Sequence, residues 1–231
     1  MRRFFLHSEK LDVDTLILPE EESKHACRVL RMQPGDQLSI INGFGDELVA
    51  QITDNNPKRC KVKKISFSHK ERDDFEIHIA LAPTKLNDRF EWFLEKTTEL
   101  GIHRITPILC ENSERSKIKT DRYERIIISA LKQSQRLYLP FIDELTPFET
   151  FIKNHPNGLI AHCYEGQKFD LTKKIQSKNC PILIGPEGDF SILEVENALK
   201  TGYTPISLGK TRLRTETAGI YACALVKNEL E

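Results

Sequence analysis

Short alternating apolar runs give way, about a third of the way along the chain, to apolar residues recurring every three or four positions. In the first part, β-prone runs at 37–42, 48–52 and 60–65 are cut by the turn signals Gly43-Phe44-Gly45-Asp46 and Asp54-Asn55-Asn56-Pro57. One helix interrupts them. Ser23 is its expected N-cap, Ala26, Val29 and Leu30 its apolar stripe, and Pro34-Gly35 its stop, with Arg28 and Arg31 sharing a face. A charged linker at 68–74 follows. From Phe75 strands and helices alternate. Strands are predicted at 77–82, 105–110, 159–163, 181–184 and 206–208. Helices are predicted at 87–100 (Phe90, Phe93, Leu94 and Thr97 on one face, Gly101 closing), at 121–136 and at 215–230. Thr146-Pro147-Phe148-Glu149 reads as an N-cap, a first-turn proline and an N3 acid, and Ser191 with Glu194 as a capping box on a helix that Gly202 ends. This alternation predicts an α/β fold with a mostly parallel sheet covered by helices. The expected division is a small β-rich domain over 1–70 and an α/β domain over 74–231.

Two junctions in the second part carry the candidate chemistry. Residues 182–191 read I-L-I-G-P-E-G-D-F-S and 208–218 read L-G-K-T-R-L-R-T-E-T-A. Each is an apolar run emptying into a Gly- or Thr-rich turn that opens a helix. Open α/β folds bind ligands on the rim beyond the carboxyl ends of their strands. Gly185 and Gly188 are expected to let the backbone approach a bound group, with Pro186 stiffening the turn. Gly209-Lys210-Thr211 resembles the tail of a phosphate-binding loop, but the first glycine of that motif would fall at Thr204, and no G-x-G-x-x-G follows a strand. A cofactor without a polyphosphate fits better. The competing reading is two ordinary strand–helix connections.

Composition narrows the class. The chain has 231 residues, 39% hydrophobic and 29% charged, with no apolar run of membrane-spanning length, so no membrane association is expected. The start, Met1-Arg2-Arg3-Phe4-Phe5-Leu6-His7, lacks the apolar stretch of a signal peptide. Six scattered cysteines without C-x-x-C pairing, and no ligand-spaced histidines, predict free buried thiols in a reducing cytoplasm, with no metal. Net charge is zero, yet the cations cluster: Lys58, Arg59, Lys61, Lys63 and Lys64; Arg115, Lys117 and Lys119; Lys210, Arg212 and Arg214. Any one cluster reads as a solvated face. Three, one of them beside the candidate pocket, point toward a polyanionic substrate.

The two junctions resemble the C-terminal motifs of the RsmE family of ribosomal RNA methyltransferases, in the SPOUT superfamily. Further matches are Glu95-Lys96-Thr97-Thr98-Glu99-Leu100-Gly101, Glu114-Arg115-Ser116, Gln133-Ser134-Gln135-Arg136 and Arg28-Val29-Leu30-Arg31, collinear over nearly the whole chain. Asp189 departs from the pattern, standing where the family often has glycine. The resemblance implies a SPOUT α/β domain with a trefoil knot over 74–231, behind a PUA-like β-barrel that binds RNA over 1–70. It implies S-adenosylmethionine held by Leu183, Ile184, Gly185, Pro186, Glu187, Gly188, Leu208, Gly209, Leu213, Arg214, Thr215, Thr217 and Ala218. It implies a homodimer acting on 16S ribosomal RNA in the small ribosomal subunit, at uridine N3, by resemblance at uridine 1498. Methylating a protonated N3 needs a base or a stabiliser of the uridine anion. Arg214 is the candidate stabiliser, with Arg136 and Arg115 as alternatives; Glu187 and Asp189 are the nearest acids, and each reads more readily as structural. Glu187 or Glu216 is a candidate partner for the cofactor's ribose or amino group, Glu216 reading equally well as a first-turn acid on the helix dipole. RNA contacts are expected at Arg2, Arg3, Arg28, Arg31, Lys58, Arg59, Lys61, Arg115 and Arg136. Two other classes stay open: a non-catalytic RNA-binding ribosome-assembly factor, and a cofactor enzyme acting on a small metabolite.

Overall fold

A computed structural model describes residues 1–175 and 179–230, so Glu231, the expected end of the second domain, lies outside the described residues. The alternating runs of the first part pair into a five-stranded sheet of order β1-β3-β4-β5-β2. β1 (Arg2–Phe5) runs parallel to β3 (Gln37–Ile41). β4 (Asp46–Asp54), β5 (Lys61–His69) and β2 (Thr15–Ile17) add on antiparallel. Side chains on one face of the pleat, among them Leu38, Ile40, Leu48, Ala50, Ile52 and Val62, close with Phe4, Leu11, Leu18 and Ala26 into one core. Each large apolar side chain so buried contributes about 1.5–3 kcal/mol.

The helix of this unit differs from expectation. α1 (Glu20–Lys24) is capped at Pro19, and its last turns, His25–Val29, widen into a π-helix. Ser23 is buried inside it: its Oγ donates to Leu18 O and accepts from Cys60 N, both at 2.9 Å. That serine ties the helix to the entry of β5, a tertiary use that overrides its local capping preference. Arg28 lies in the π turn, whereas Arg31 follows the helix with φ 53°, so the two do not share a helical face. The expected 68–74 linker is partly strand, since β5 continues to His69.

The second part builds an entirely parallel sheet of order β11-β13-β10-β12-β6-β7-β8, with β9 beside β7. Its strands are β6 (His78–Leu81), β7 (Arg104–Leu109), β8 (Phe141–Ile142), β9 (Thr146–Pro147), β10 (Leu159–Ala161), β11 (Phe169–Asp170), β12 (Ile182–Ile184) and β13 (Thr204–Ser207). The helices are α2 (Asn87–Leu100), α3 (Thr120–Ser134), α4 (Phe148–Asn154), α5 (Ile192–Lys200) and α6 (Thr215–Leu230). α2 buries Phe90, Phe93, Leu94 and Thr97, and Gly101 ends it in the left-handed region at φ 91°. The Ser191–Glu194 capping box forms on α5. At α4 the cap is Pro147 itself, because Thr146 sits in β9 and turns its hydroxyl to Glu144 O. α6 packs closely on β6 and α2 at Gly219, where a Cβ would come within 2.5 Å of Leu81 and 2.6 Å of the Phe93 ring.

Packing groups Met1–Arg72 with Leu131–Leu139, and Asp73–Ala130 with Pro140–Glu231. The 131–139 segment, which the sequence division placed in the second domain, joins the first. Gly45 N donates to Leu137 O, Leu139 N donates to Gly43 O, and Lys132 pairs with Glu22 at 2.9 Å.

Candidate functional site

β10, β12 and β13 lie side by side and end at Ala161, Ile184 and Ser207. Beyond those ends opens a cavity of about 590 Å³. The structure brings Ile184, Gly185, Pro186, Glu187, Leu208, Gly209, Leu213, Arg214, Thr215 and Ala218 together on its wall. Leu183, Gly188 and Thr217 are not on it. Strand alternation turns Leu183 into the core beside Ala80 and Phe190, and Gly188 faces Asn112.

Gly185 has a packing reason to be glycine. A Cβ there would lie 3.0–3.1 Å from the buried Phe190 ring, and Gly185 O accepts from Thr215 Oγ1 at 3.0 Å, joining the turn to the start of α6. Gly209 instead needs its φ of 124°, and nothing stands within 4 Å of where a Cβ would be. Glu187 accepts from Lys85 N at 3.0 Å. Lys85 sits in a loop that Arg115 braces, its Nε donating to Thr84 O at 2.9 Å and its Nη2 to Lys85 O at 2.7 Å. Glu216 does not reach the cavity. It is buried 3.9 Å from Arg89 Nε, and its Oε2 has no hydrogen-bond partner among the described residues.

Sequence motifs missed one stretch of wall: His162, Cys163 and Lys168, from the loop after β10. No glycine-rich signature marks that strand end. Only the sheet order, with β10 between β12 and β13, makes it border the cavity. His162 Nδ1 is buried without a hydrogen-bond partner among the described residues; burial, then the charge of Lys168, lowers its pKa and keeps the ring neutral. Burial, then the Asp189 carboxylate, raises the Cys163 pKa, so this side chain is a thiol rather than a thiolate. Cys163 is exposed, against the expectation of buried cysteines, and only Cys60, Cys110 and Cys223 are fully buried. All six are free. Among the described residues no cluster of metal-ligating side chains occurs.

The cations divide sharply. Arg214 is exposed on the rim, its backbone oxygen accepting from Ala218 N at 2.8 Å, and its guanidinium has no ion pair among the described residues. Arg115 and Arg136 do not line the cavity. Arg115 is spent on backbone carbonyls, and the half-buried Arg136 belongs to the first unit. In that unit Arg2, Arg28, Arg31, Lys58, Arg59 and Lys61 are exposed. Arg3 is not available in the same way: it pairs with Glu47 at 2.7 Å, half-buried. Lys64 is likewise engaged, 2.9 Å from Asp12.

The comparisons with known proteins agree in extent with this layout. The RNA methyltransferase domain family matches residues 71–227, and the RNA methyltransferase PUA domain family matches 18–65. The ribosomal RNA small subunit methyltransferase E of Buchnera aphidicola subsp. Acyrthosiphon pisum is 31% identical, across 93% of this chain and 88% of its own. Among solved structures, a probable rRNA-methyltransferase from Porphyromonas gingivalis superposes with a TM-score of 0.89 at 39% identity, covering 99% of this chain and 98% of that one. A ribosomal RNA small subunit methyltransferase E from Neisseria gonorrhoeae, bound to S-adenosyl methionine, gives 0.86 at 27% identity, covering 97% and 95%.

Proposed function

This chain belongs to the RsmE family of RNA methyltransferases, and on that premise we propose that it binds S-adenosylmethionine and methylates uridine N3 in 16S ribosomal RNA, at uridine 1498 by resemblance. The observation that carries the reading is the cavity at the ends of β10, β12 and β13, walled by the main chain of both glycine-containing turns. Its character fits the donor: buried Ile184, Gly185 and Pro186 on one side, open space at Gly209 on the other, and a His162 ring nitrogen with no hydrogen-bond partner among the described residues. When bound, the donor supplies a methyl group already activated by its sulfonium. The protein's task is then to orient the base and to stabilise its anion.

The acids on the wall are occupied. Glu187 accepts from Lys85 N, and Asp189 accepts from Cys163 N and Phe190 N. Arg214, on the same rim, is a cation with no ion pair among the described residues. It therefore acts on the reaction, through a guanidinium that pairs with a uracil oxygen and stabilises the anion left when N3 gives up its proton to solvent water, before N3 takes the methyl group. The exposed Arg2, Arg28, Arg31, Lys58, Arg59 and Lys61 hold phosphates. The trefoil knot belongs to the same reading, supported by a chain that pairs β13 with β10 and then returns as α6 to pack on α2, β6 and β12. So does a homodimer, supported by exposed Leu86, Trp92 and Tyr221 around the α2–α6 pair. Work on the small subunit in the cytoplasm completes it, and no described helix is long and apolar enough to cross a membrane.

The test is single-turnover methyl transfer to unmodified small ribosomal subunits. Arg214→Ala lowers the rate by about two orders of magnitude or more, the scale for losing one such donor. Arg214→Lys recovers little, because a point charge lacks the planar fork. Calorimetric affinity for the cofactor stays unchanged in both. Affinity or thermal stability falling in step with rate would assign Arg214 to the turn's structure instead. No transfer by the unaltered protein would leave the RNA-binding assembly factor as the function.

A further inference from the structure

We infer that Asp189 is a positioning residue, whose carboxylate latches the loop after β10 onto the turn after β12 and so sets the shape of the cavity wall. The inference rests on the reading of that cavity as the donor site. Asp189 holds φ 66°, a left-handed conformation that glycine adopts freely and aspartate only against resistance. An aspartate in this position has to offset its backbone with its side chain, and the hydrogen bonds show how. Oδ2 accepts from Cys163 N at 2.8 Å, and Oδ1 accepts from Phe190 N at 2.8 Å. One carboxylate thus satisfies an amide on each of two adjacent strand-end segments.

The surroundings hold the latch in register. Asp189 N donates to Pro186 O at 2.9 Å, closing the turn on itself. Asn112 Nδ2, from the segment after β7, donates to Asp189 O at 3.1 Å. Tyr164 OH donates to Phe190 O at 2.6 Å, a second tie from the β10 loop. Asp189 and Cys163 both line the cavity, and the tied loop carries His162 and Lys168 to the wall as well. Because both carboxylate oxygens are engaged by amides, Asp189 is poorly suited to take the uridine proton. Its contribution is to hold the loop before the donor arrives, so that binding does not have to order it.

Asp189→Gly and Asp189→Asn separate the latch from the backbone. Glycine relieves the φ but removes both acceptors; asparagine tolerates the φ and keeps one acceptor. Two readouts apply: amide hydrogen exchange at Cys163 in the ligand-free protein, and calorimetric Kd for S-adenosylhomocysteine, the demethylated product. The expected order is the unaltered protein tightest, Asp189→Asn intermediate, and Asp189→Gly weakest. In Asp189→Gly the Kd rises about tenfold and Cys163 exchanges at least about tenfold faster, the scale for losing charge-assisted hydrogen bonds. The KM for the donor rises with kcat at saturation unchanged. An Asp189→Gly protein equal to or tighter than the unaltered one overturns the inference, as does faster Cys163 exchange without change in Kd. If the unaltered protein itself fails to bind S-adenosylhomocysteine, the donor-site reading falls, while the Cys163 exchange order still decides whether the latch exists.

Discussion

Gly185→Ala is the sharpest probe of why the cavity turn is built as it is. The added methyl would lie 3.0 and 3.1 Å from two ring carbons of Phe190 and 3.1 Å from its backbone nitrogen, inside ordinary van der Waals separation. Phe190 has little room to yield: it is fully buried, its ring centroid 5.4 Å from that of Phe148, in a core shared with Ile160 and Leu183. The turn cannot easily slide outward either, because Gly185 O holds the Thr215 hydroxyl at 3.0 Å. Overpacking of this kind costs about 1–3 kcal/mol, and losing the hydrogen bond instead costs about 1–3 kcal/mol for a buried group left unsatisfied. A loss of about 2 kcal/mol is expected by either route, which lowers Tm by roughly 4–8 °C at this size. Phe190→Leu makes space, so melting of Gly185→Ala, Phe190→Leu and the double variant forms a cycle with a favourable coupling of about 1 kcal/mol. Were the glycine needed only for ligand approach, Gly185→Ala would melt within about 1 °C of the unaltered protein and lose affinity alone. That result, or a strictly additive cycle, refutes the packing role.

Replacing Lys58, Arg59 and Lys61 together with glutamine weakens RNA binding about equally for all sequences. It flattens the slope of log affinity against log salt by about 0.7–0.9 for each phosphate no longer neutralised, and an unchanged slope would place the RNA path elsewhere. His78 is pushed down to about 3 by burial, then by the charges of Arg104 and His155, against the pull of Asp143. The folded protein keeps it neutral while the unfolded chain protonates below its ordinary 6.5, so stability falls as pH drops from 6.5 toward 3, by up to about 1.4 kcal/mol per pH unit from this group. His78→Gln flattens that acid limb in urea titrations; an identical limb would show that other groups carry it. Light scattering at micromolar concentration gives the mass of two chains, reduced toward one by Trp92→Asp with Tyr221→Asp, and a single-chain mass for the unaltered protein rules out the dimer.

What could be read from the sequence depended on how local its cause was. α2 was legible to the residue because its apolar spacing and Gly101 act within a few turns of chain. The Ser191–Glu194 box was legible for the same reason. Ser23 and Thr146 are equally good capping residues by local chemistry, yet one is a buried strut to Cys60 and the other sits in a strand. Arg3 and Arg115 looked like free cations because their partners lie far along the chain: Glu47 is 44 residues from Arg3, and Thr84 is 31 from Arg115. Both glycine-containing turns of the cavity were visible as motifs. The third contributor, the loop after β10, was hidden because its membership depends on strand order, which no local pattern encodes.

The wall of the cavity is also uneven in a way that bears on a chain of zero net charge. On the β12 side Ile184, Gly185 and Pro186 are buried, and the turn beyond them is tied through Thr215, Asn112, Cys163 and Tyr164. On the β13 side Gly209, Lys210, Thr211, Arg212 and Arg214 are exposed. A compact cofactor is best recognised by fixed, water-excluded main chain, where hydrogen bonds are strong and nothing reorganises on binding. A polyanion is best met by exposed cations, which act within a Debye length of about 8–10 Å. The cations that line the cavity, Lys168, Lys210, Arg212 and Arg214, outnumber the acids that line it, Glu187 and Asp189. The lining is therefore net positive in a chain that is electroneutral overall, and the run Lys210, Arg212 and Arg214 marks that excess in the sequence itself.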